Sequence, residues 1–278
     1  MLSYRHSFHA GNYADVLKHI VLVEVLRYLG EKEKPFEYID THAGAGIYSL
    51  ASDQSKKTRE YEQGIGLLYT DTRQLLKPYL NVIRQFNAGG RLQFYPGSPK
   101  IAESLLRAQD RGWLFELHPS DSVPLQQAFA GNRRFRVAQE DGFKGLLSLL
   151  PPATRRACIL IDPPYEVKQD YDQVVATVIN AHQRFATGIY CIWYPVVERE
   201  RIKRMEKKLV ASGIRRIQRF ELGHLSTEEG RGMHATGMIV INPPWTLFAK
   251  MEALLPLLVE TLETGQPYQF LCEQWAGE

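Results

Sequence analysis

The sequence predicts an α/β protein built on a mostly parallel, Rossmann-like sheet of seven strands that closes with an antiparallel hairpin. Three observations predict it. Short apolar runs of the buried-strand type recur at 36–40, 113–116, 135–138, 158–162 and 189–194, with helix-sized segments between them. That alternation gives a parallel sheet covered on both faces. Two later runs, 214–222 and 238–242, are joined by a loop too short for a crossover with its helix, so they should pair antiparallel. The first run also leaves through Asp40-Thr-His-Ala-Gly-Ala-Gly46, a turn placed where open α/β sheets bind ligands.

The bulk properties agree with this class. The chain has 278 residues, 44% hydrophobic and 23% charged, enough for one large domain and unlike disordered or collagenous sequence. No run approaches the roughly 18 uninterrupted apolar residues of a membrane span. The opening Met1-Leu-Ser-Tyr-Arg-His-Ser-Phe-His has no apolar stretch of the secretory kind. Cys158, Cys191 and Cys272 are widely spaced and read as thiols of a reducing, cytoplasmic setting rather than a disulfide framework or zinc site. Lys and Arg total 34 against 31 acids, net +3, which permits an anionic partner without requiring one. The clusters Arg133/Arg134/Arg136, Arg155/Arg156, Lys203/Arg204/Lys207/Lys208 and Arg215/Arg216/Arg219 read first as solvated faces.

Taken in order, Asn12 is a helix N-cap with Asp15 three residues on, and 16–29 is apolar on more than one side up to Gly30, the pattern of a well-buried helix. Between the first and second strands the chain is longer than a βαβ unit needs. The excess, 52–95, looks helical and reads as a small insertion subdomain on the carboxyl rim, where insertions shape access. The whole of 1–278 is otherwise expected to be a single domain.

The strand ends carry the candidate chemistry. Gly44 and Gly46 allow a tight turn and close approach to a ligand, although Ser49 only half completes a dinucleotide fingerprint. Glu116 follows the second strand, where a carboxylate accepts hydrogen bonds from two ribose hydroxyls. Asp141-Gly142 follows the third and is placed to receive an adenine amino group. Asp162-Pro163-Pro-Tyr165 follows the fourth. Its prolines stiffen the exit, so the Asp162 carboxylate and the Pro163 carbonyl become two fixed acceptors with the Tyr165 ring to stack on a flipped-out base. Methylation of an exocyclic amine needs such acceptors, because they favour a pyramidal nitrogen whose lone pair faces the methyl group. A rival copy, Asn242-Pro-Pro-Trp245, follows the seventh strand, away from the donor's switch point, and reads as a structural exit. Ser98 resembles the N-cap of a helix over 99–108. His6, His9 and His19 show no convincing zinc spacing, and there is neither a Walker loop nor a Gly-x-Ser-x-Gly elbow.

A parallel sheet with one antiparallel hairpin is the arrangement of class I methyltransferases, and the motifs sharpen the likeness. Met-Leu-Ser-Tyr-Arg-His-Ser-Phe-His-Ala-Gly-Asn, Ala-Asp-Val-Leu-Lys-His, Asp-Thr-His-Ala-Gly-Ala-Gly, Tyr-Pro-Gly-Ser-Pro, Glu-Leu-His-Pro-Ser-Asp, Asp-Gly-Phe, Ile-Asp-Pro-Pro-Tyr and Ile-Asn-Pro-Pro-Trp together resemble the bacterial 23S ribosomal RNA adenine-N6 methyltransferases of the RlmJ family, over essentially the full length. The resemblance implies a class I S-adenosylmethionine-dependent fold with a helical insertion. It implies cofactor contacts at His19, His42, Ser98, Glu116, Asp141 and Gly142, beside the Gly44 turn, and a catalytic Asp162. It also implies that the N-terminal segment 1–30 closes over the target adenosine, bringing Tyr4, His6 and Lys18 near it. The expected partner is 23S rRNA, with no metal and no membrane, and the chain acting as a monomer. Two other readings remain at this point: a DNA adenine-N6 methyltransferase, which shares the Asp-Pro-Pro-Tyr chemistry, and a non-catalytic rRNA-binding assembly factor.

Overall fold

The computed structural model describes residues 5–167, 169–223, 232–262 and 269–277. Asn12 opens helix α1 (Tyr13–Gly30), its side chain accepting the Ala14 and Asp15 amides at 3.0 Å. Strand β1 (Glu37–Asp40) follows, then a small hairpin of β2 (Ile47–Ser49) with β3 (Phe94–Pro96). That hairpin brackets α2 (Asp53–Thr58), α3 (Ile65–Leu68), α4 (Lys77–Gln85) and two short 3-10 turns. The chain continues through α5 (Ser98–Leu105), β4 (Arg111–Phe115), α6 (Pro119–Ala128), β5 (Phe135–Ala138), α7 (Gly142–Leu149), β6 (Ala157–Ile161), α8 (Asp170–Arg184) and β7 (Ile189–Val196). It ends with α9 (Arg199–Ala211), β8 (Ile217–Gly223), β9 (Ala235–Ile241), α10 (Leu247–Leu262) and β10 (Gln269–Ala276).

The central sheet has the order β10-β8-β9-β7-β6-β1-β4-β5. The pairs β5/β4, β4/β1, β1/β6 and β6/β7 are parallel, and β9 runs antiparallel to both β7 and β8. The parallel strands and the antiparallel pair therefore form as the sequence predicts. The strand count does not. An eighth strand, β10, adds antiparallel to β8 at the edge. Its run Gln-Phe-Leu-Cys-Glu-Gln-Trp-Ala mixes polar and apolar residues, as an edge strand with little burial does.

Alternate side chains of β1 serve opposite faces: Tyr38 belongs to one core and Ile39 to the other. The first core is filled by α1, α4, α5 and α10, the second by α7, α8 and α9. Helix α1 is apolar almost all round because it lies between the sheet and a further helical layer; Val16, Leu17, Val21, Leu22, Val23 and Val25 are fully buried. Each large aliphatic there contributes roughly 1.5–3 kcal/mol by leaving water. Among the described residues no helix is long and apolar enough to cross a membrane.

Candidate active site

The exits of β1, β4, β5 and β6 meet at the carboxyl rim around a cavity of about 360 Å³. Gly44 turns the chain in the left-handed region, φ +61°, and a Cβ there would stand 2.2 Å from the Tyr48 hydroxyl, so no side chain fits. The Gly44 amide donates to Glu116 Oε2 at 2.8 Å, and the His118 amide to Oε1 at 2.7 Å. Burial pushes the Glu116 carboxyl up despite these donors. Each oxygen has a second lone pair for a ribose hydroxyl.

The β1 and β5 exits lie back to back. A Cβ on Gly142 would come within 1.8 Å of the Thr41 carbonyl; only a glycine lets the start of α7 approach so closely. Asp141 is the N-cap of α7, its Oδ1 accepting the Phe143 and Lys144 amides at 3.0 and 3.4 Å. The residue expected to meet an adenine amino group thus also holds a helix end. His42 stands edge-on to Phe143 at 4.9 Å, and burial pushes its pKa down to about 4, so it is neutral near pH 7.

Ser98 differs from its expected role. Gly97 is the N-cap of α5, which ends at Leu105, and Ser98 lies one residue inside the helix. Its hydroxyl instead donates to Asp40 Oδ2 at 2.7 Å, which also receives the Tyr38 hydroxyl at 2.6 Å. Burial raises the Asp40 pKa to about 6. His19 is fully buried on the cavity wall, its Nδ1 2.7 Å from the Tyr95 hydroxyl, while its Nε2 has no hydrogen-bond partner among the described residues. Burial holds this imidazole neutral. An unpartnered buried nitrogen on a cavity wall calls for a ligand.

Asp162 stands just beyond β6. Its Oδ2 lies 2.6 Å from Lys18 Nζ, which lies 2.7 Å from Asp15 Oδ1; Asp15 Oδ2 in turn meets His6 Nε2 at 2.9 Å and the Gly11 amide at 2.8 Å. Burial opposes the Lys18 charge, but Asp15 and Asp162 more than offset it, so the ammonium titrates above the ordinary lysine range. Asp15 is likewise held far below the usual carboxylate range by His6 and Lys18 in spite of its burial. For Asp162, burial wins over Lys18 and its carboxyl is pushed up.

The sequence-named residues His6, Lys18, His19, His42, Gly44, Ser98, Glu116, Asp141, Gly142, Asp162 and Pro163 all line this one cavity. Tyr165 does not. It takes the left-handed conformation, φ +50°, and its hydroxyl donates to the Trp193 carbonyl at 2.7 Å, with its ring 5.8 Å and edge-on from the indole. The aromatic wall beside Asp162 is Trp193, whose ring centroid lies 5.9 Å from Lys18 Nζ. Tyr4 lies outside the described residues. Sequence reading missed Trp193, Tyr48 and Asp15. Only Asp15 left a signal: an acid three residues before Lys18 in a helix otherwise apolar enough to be buried. Among the described residues no group of three metal-type ligands occurs, and His9 pairs with Glu60 at 2.9 Å.

These residues fit S-adenosylmethionine: the twin acceptors of Glu116, Asp141 on the cavity wall, and the buried Nε2 of His19 facing the same cavity. A family model described as ribosomal RNA large subunit methyltransferase D, RlmJ, matches residues 33–271. The ribosomal RNA large subunit methyltransferase J of Escherichia coli is 54% identical over 260 residues, 93% of each chain. That of Haemophilus influenzae is 52% identical over 265 residues, 94% of each. A crystal structure of a Legionella pneumophila protein superposes with TM-score 0.88 at 37% identity, covering 96% of this chain and 98% of that one. A spermidine synthase structure from Corynebacterium glutamicum, 10% identical with TM-score 0.51 and covering 93% and 74%, shares the fold alone.

Proposed function

The chain belongs to the RlmJ family of ribosomal RNA large subunit methyltransferases, and on that premise we propose that it transfers a methyl group from S-adenosylmethionine to N6 of one adenine in 23S rRNA. The observation that carries this reading is the position of Asp162: at a diproline corner, on the wall of the cavity that holds Glu116, Asp141 and the glycine turn, with one oxygen pinned by Lys18.

His19, His42, Gly44, Ser98, Glu116, Asp141 and Gly142 would hold the cofactor, which when bound supplies a methyl group on a positively charged sulfur. The protein's own part is to aim the amine. Asp162 Oδ1 and the Pro163 carbonyl are assigned to the two N6–H bonds. Lys18 fixes Asp162 Oδ2 and favours its ionised state against the pull of burial, so that it accepts rather than donates. The methyl group would leave its sulfur for N6, with a neutral thioether remaining on the cofactor, and the Asp162 carboxylate, already accepting from N6, would take up the proton that N6 gives up. Trp193 offers the flat face beside the base, and Tyr165 supports it from the Trp193 carbonyl. Tyr4 and His6, ahead of α1, and Lys18, near the start of that buried helix, are assigned to the adenosine, and the insertion 52–95 shapes the approach of RNA.

The test is to incubate the protein with labelled S-adenosylmethionine and either an unmodified 23S rRNA transcript or duplex DNA, then digest and identify the labelled nucleoside. Label in N6-methyladenosine from rRNA alone is expected. Label in DNA, in another nucleoside, or in neither polymer overturns the proposal.

A further inference from the structure

A second cavity, of about 240 Å³, lies at the opposite rim of the sheet. Six strands begin at that end, and β9 and β10, which run the other way, finish there. The cavity is lined by Lys32 after α1, Arg155 and Arg156 before β6, Arg216 before β8, and Asn242 and Pro243 after β9. Among the described residues, four cations line it and no carboxylate does.

Arg156 is held by neutral partners. Arg156 donates from Nη2 to the Leu29 carbonyl at 2.8 Å and from Nη1 to the Lys34 carbonyl. Burial, with Arg107 nearby, depresses its pKa against the opposing pull of Asp110. Asn242 ties the cavity's loops together: its amide nitrogen donates to the Ala186 and Gly188 carbonyls at 2.7 and 2.8 Å, and its main-chain N–H to the Arg216 carbonyl at 3.0 Å. Three residues here hold the left-handed conformation, Arg155, Arg216 and Asn242, with φ of +54°, +55° and +53°. Such strain persists where the surrounding structure fixes it. Two residues beyond Pro243, Trp245 is 79% exposed, more than any other large hydrophobic side chain described.

We propose that this amino-rim cavity, with Trp245 beside it, is a second RNA-binding site that holds a backbone phosphate of the rRNA substrate and stacks one unpaired base. A described lining of cations without acids matches a phosphodiester, and an exposed indole two residues along the chain from a basic cavity is a means by which proteins take single-stranded bases irrespective of sequence. The Asn242-Pro-Pro-Trp245 corner, which methyl transfer leaves without a task, here sets the cavity wall and presents the ring. The inference rests on the rRNA reading of the active site.

The test uses the full chain and an unmodified 23S rRNA transcript. Affinity is measured against salt for wild type, Arg155→Glu/Arg216→Glu, Lys32→Glu and Trp245→Ala, alongside kcat and KM for methyl transfer and thermal midpoints to confirm folding. The double variant should bind at least tenfold more weakly, and its salt slope should be shallower by about 1 for each phosphate it no longer neutralises. KM should rise while kcat at saturation stays level. Lys32→Glu, at an exposed site, should move affinity the same way by a smaller factor, and RNA should quench wild-type fluorescence more than that of Trp245→Ala. Unchanged affinity and slope in folded variants overturn the proposal. So does saturable binding of inorganic phosphate that the double variant loses while RNA affinity holds, which would make the site one for a free anion. A wild type that binds RNA through these residues yet methylates nothing would instead refute the reading of the active site.

Discussion

Two corners of this molecule carry nearly the same four residues, Asp162-Pro-Pro-Tyr165 and Asn242-Pro-Pro-Trp245. Each follows a fully buried strand, and each contains a residue in the left-handed conformation, Tyr165 in one and Asn242 in the other. Their fates diverge. Asp162 faces a cavity and is held by a buried lysine, while its aromatic neighbour is turned inward. Asn242 is absorbed in bonds to two main-chain carbonyls, while its aromatic neighbour is left in solvent. Strand direction decides between them: β6 ends at the carboxyl rim and β9 at the amino rim. A local motif supplies rigid acceptors; the topology decides what they face.

The comparison breaks most sharply at its two polar heads. Asp162→Ala should lower kcat by at least 100-fold, the scale of losing a positioned polar group in the transition state, with cofactor affinity kept in calorimetry. Adding Asn242→Asp to that variant should restore nothing, and any recovery of transfer would undo the assignment. Lys18→Met comes next. It leaves Asp15 and Asp162 buried without their cation, a loss of about 3–5 kcal/mol in denaturant unfolding, and because Lys18 lowers the Asp162 pKa, the acid limb of the pH–rate profile should move to higher pH. Asn242→Ala should cost about 1–2 kcal/mol for two hydrogen bonds while kcat is unaltered.

The smallest effects sharpen the electrostatics of the carboxyl rim. Asp40 titrates at about 6 in the folded protein against an ordinary 3.8, so its stabilising contribution is complete below the ordinary value and is lost as pH rises through 6. Asp40→Asn should therefore gain on wild type in thermal midpoint between those two pH values. His42 has the opposite sign: depressed from 6.5 to about 4, it contributes stability above 6.5 that is lost as pH falls through 4. Tyr165→Phe, which removes only the bond to the Trp193 carbonyl, should cost about 1 kcal/mol.

Strand runs, the glycine turn and the acids at strand ends were legible because each is a local pattern whose meaning depends on one neighbour in sequence. The eighth strand was not, since β10 sits at an edge and its apolar residues are diluted by Glu273 and Gln274. Ser98 misled because a serine before a proline in a helical stretch satisfies the capping rule, yet its partner is Asp40, reached only across the fold. Trp193 lies mid-strand with no turn to mark it, so only the placing of β7 beside β6 brings it to Asp162. The Lys18–Asp162 pair spans 144 positions in sequence, a separation no periodicity encodes.

Helix α1 has a consequence that reaches across the whole molecule. Near its start, Lys18 and His19 line the first cavity; near its end, Tyr28 and Leu29 line the second. Eleven residues separate Lys18 from Leu29, roughly 17 Å along a helix, and a rod packed on all sides cannot stretch. The protein thus carries an internal caliper with jaws of fixed opening, and if the second cavity takes RNA as proposed, a substrate must span that fixed distance between its reactive base and a phosphate.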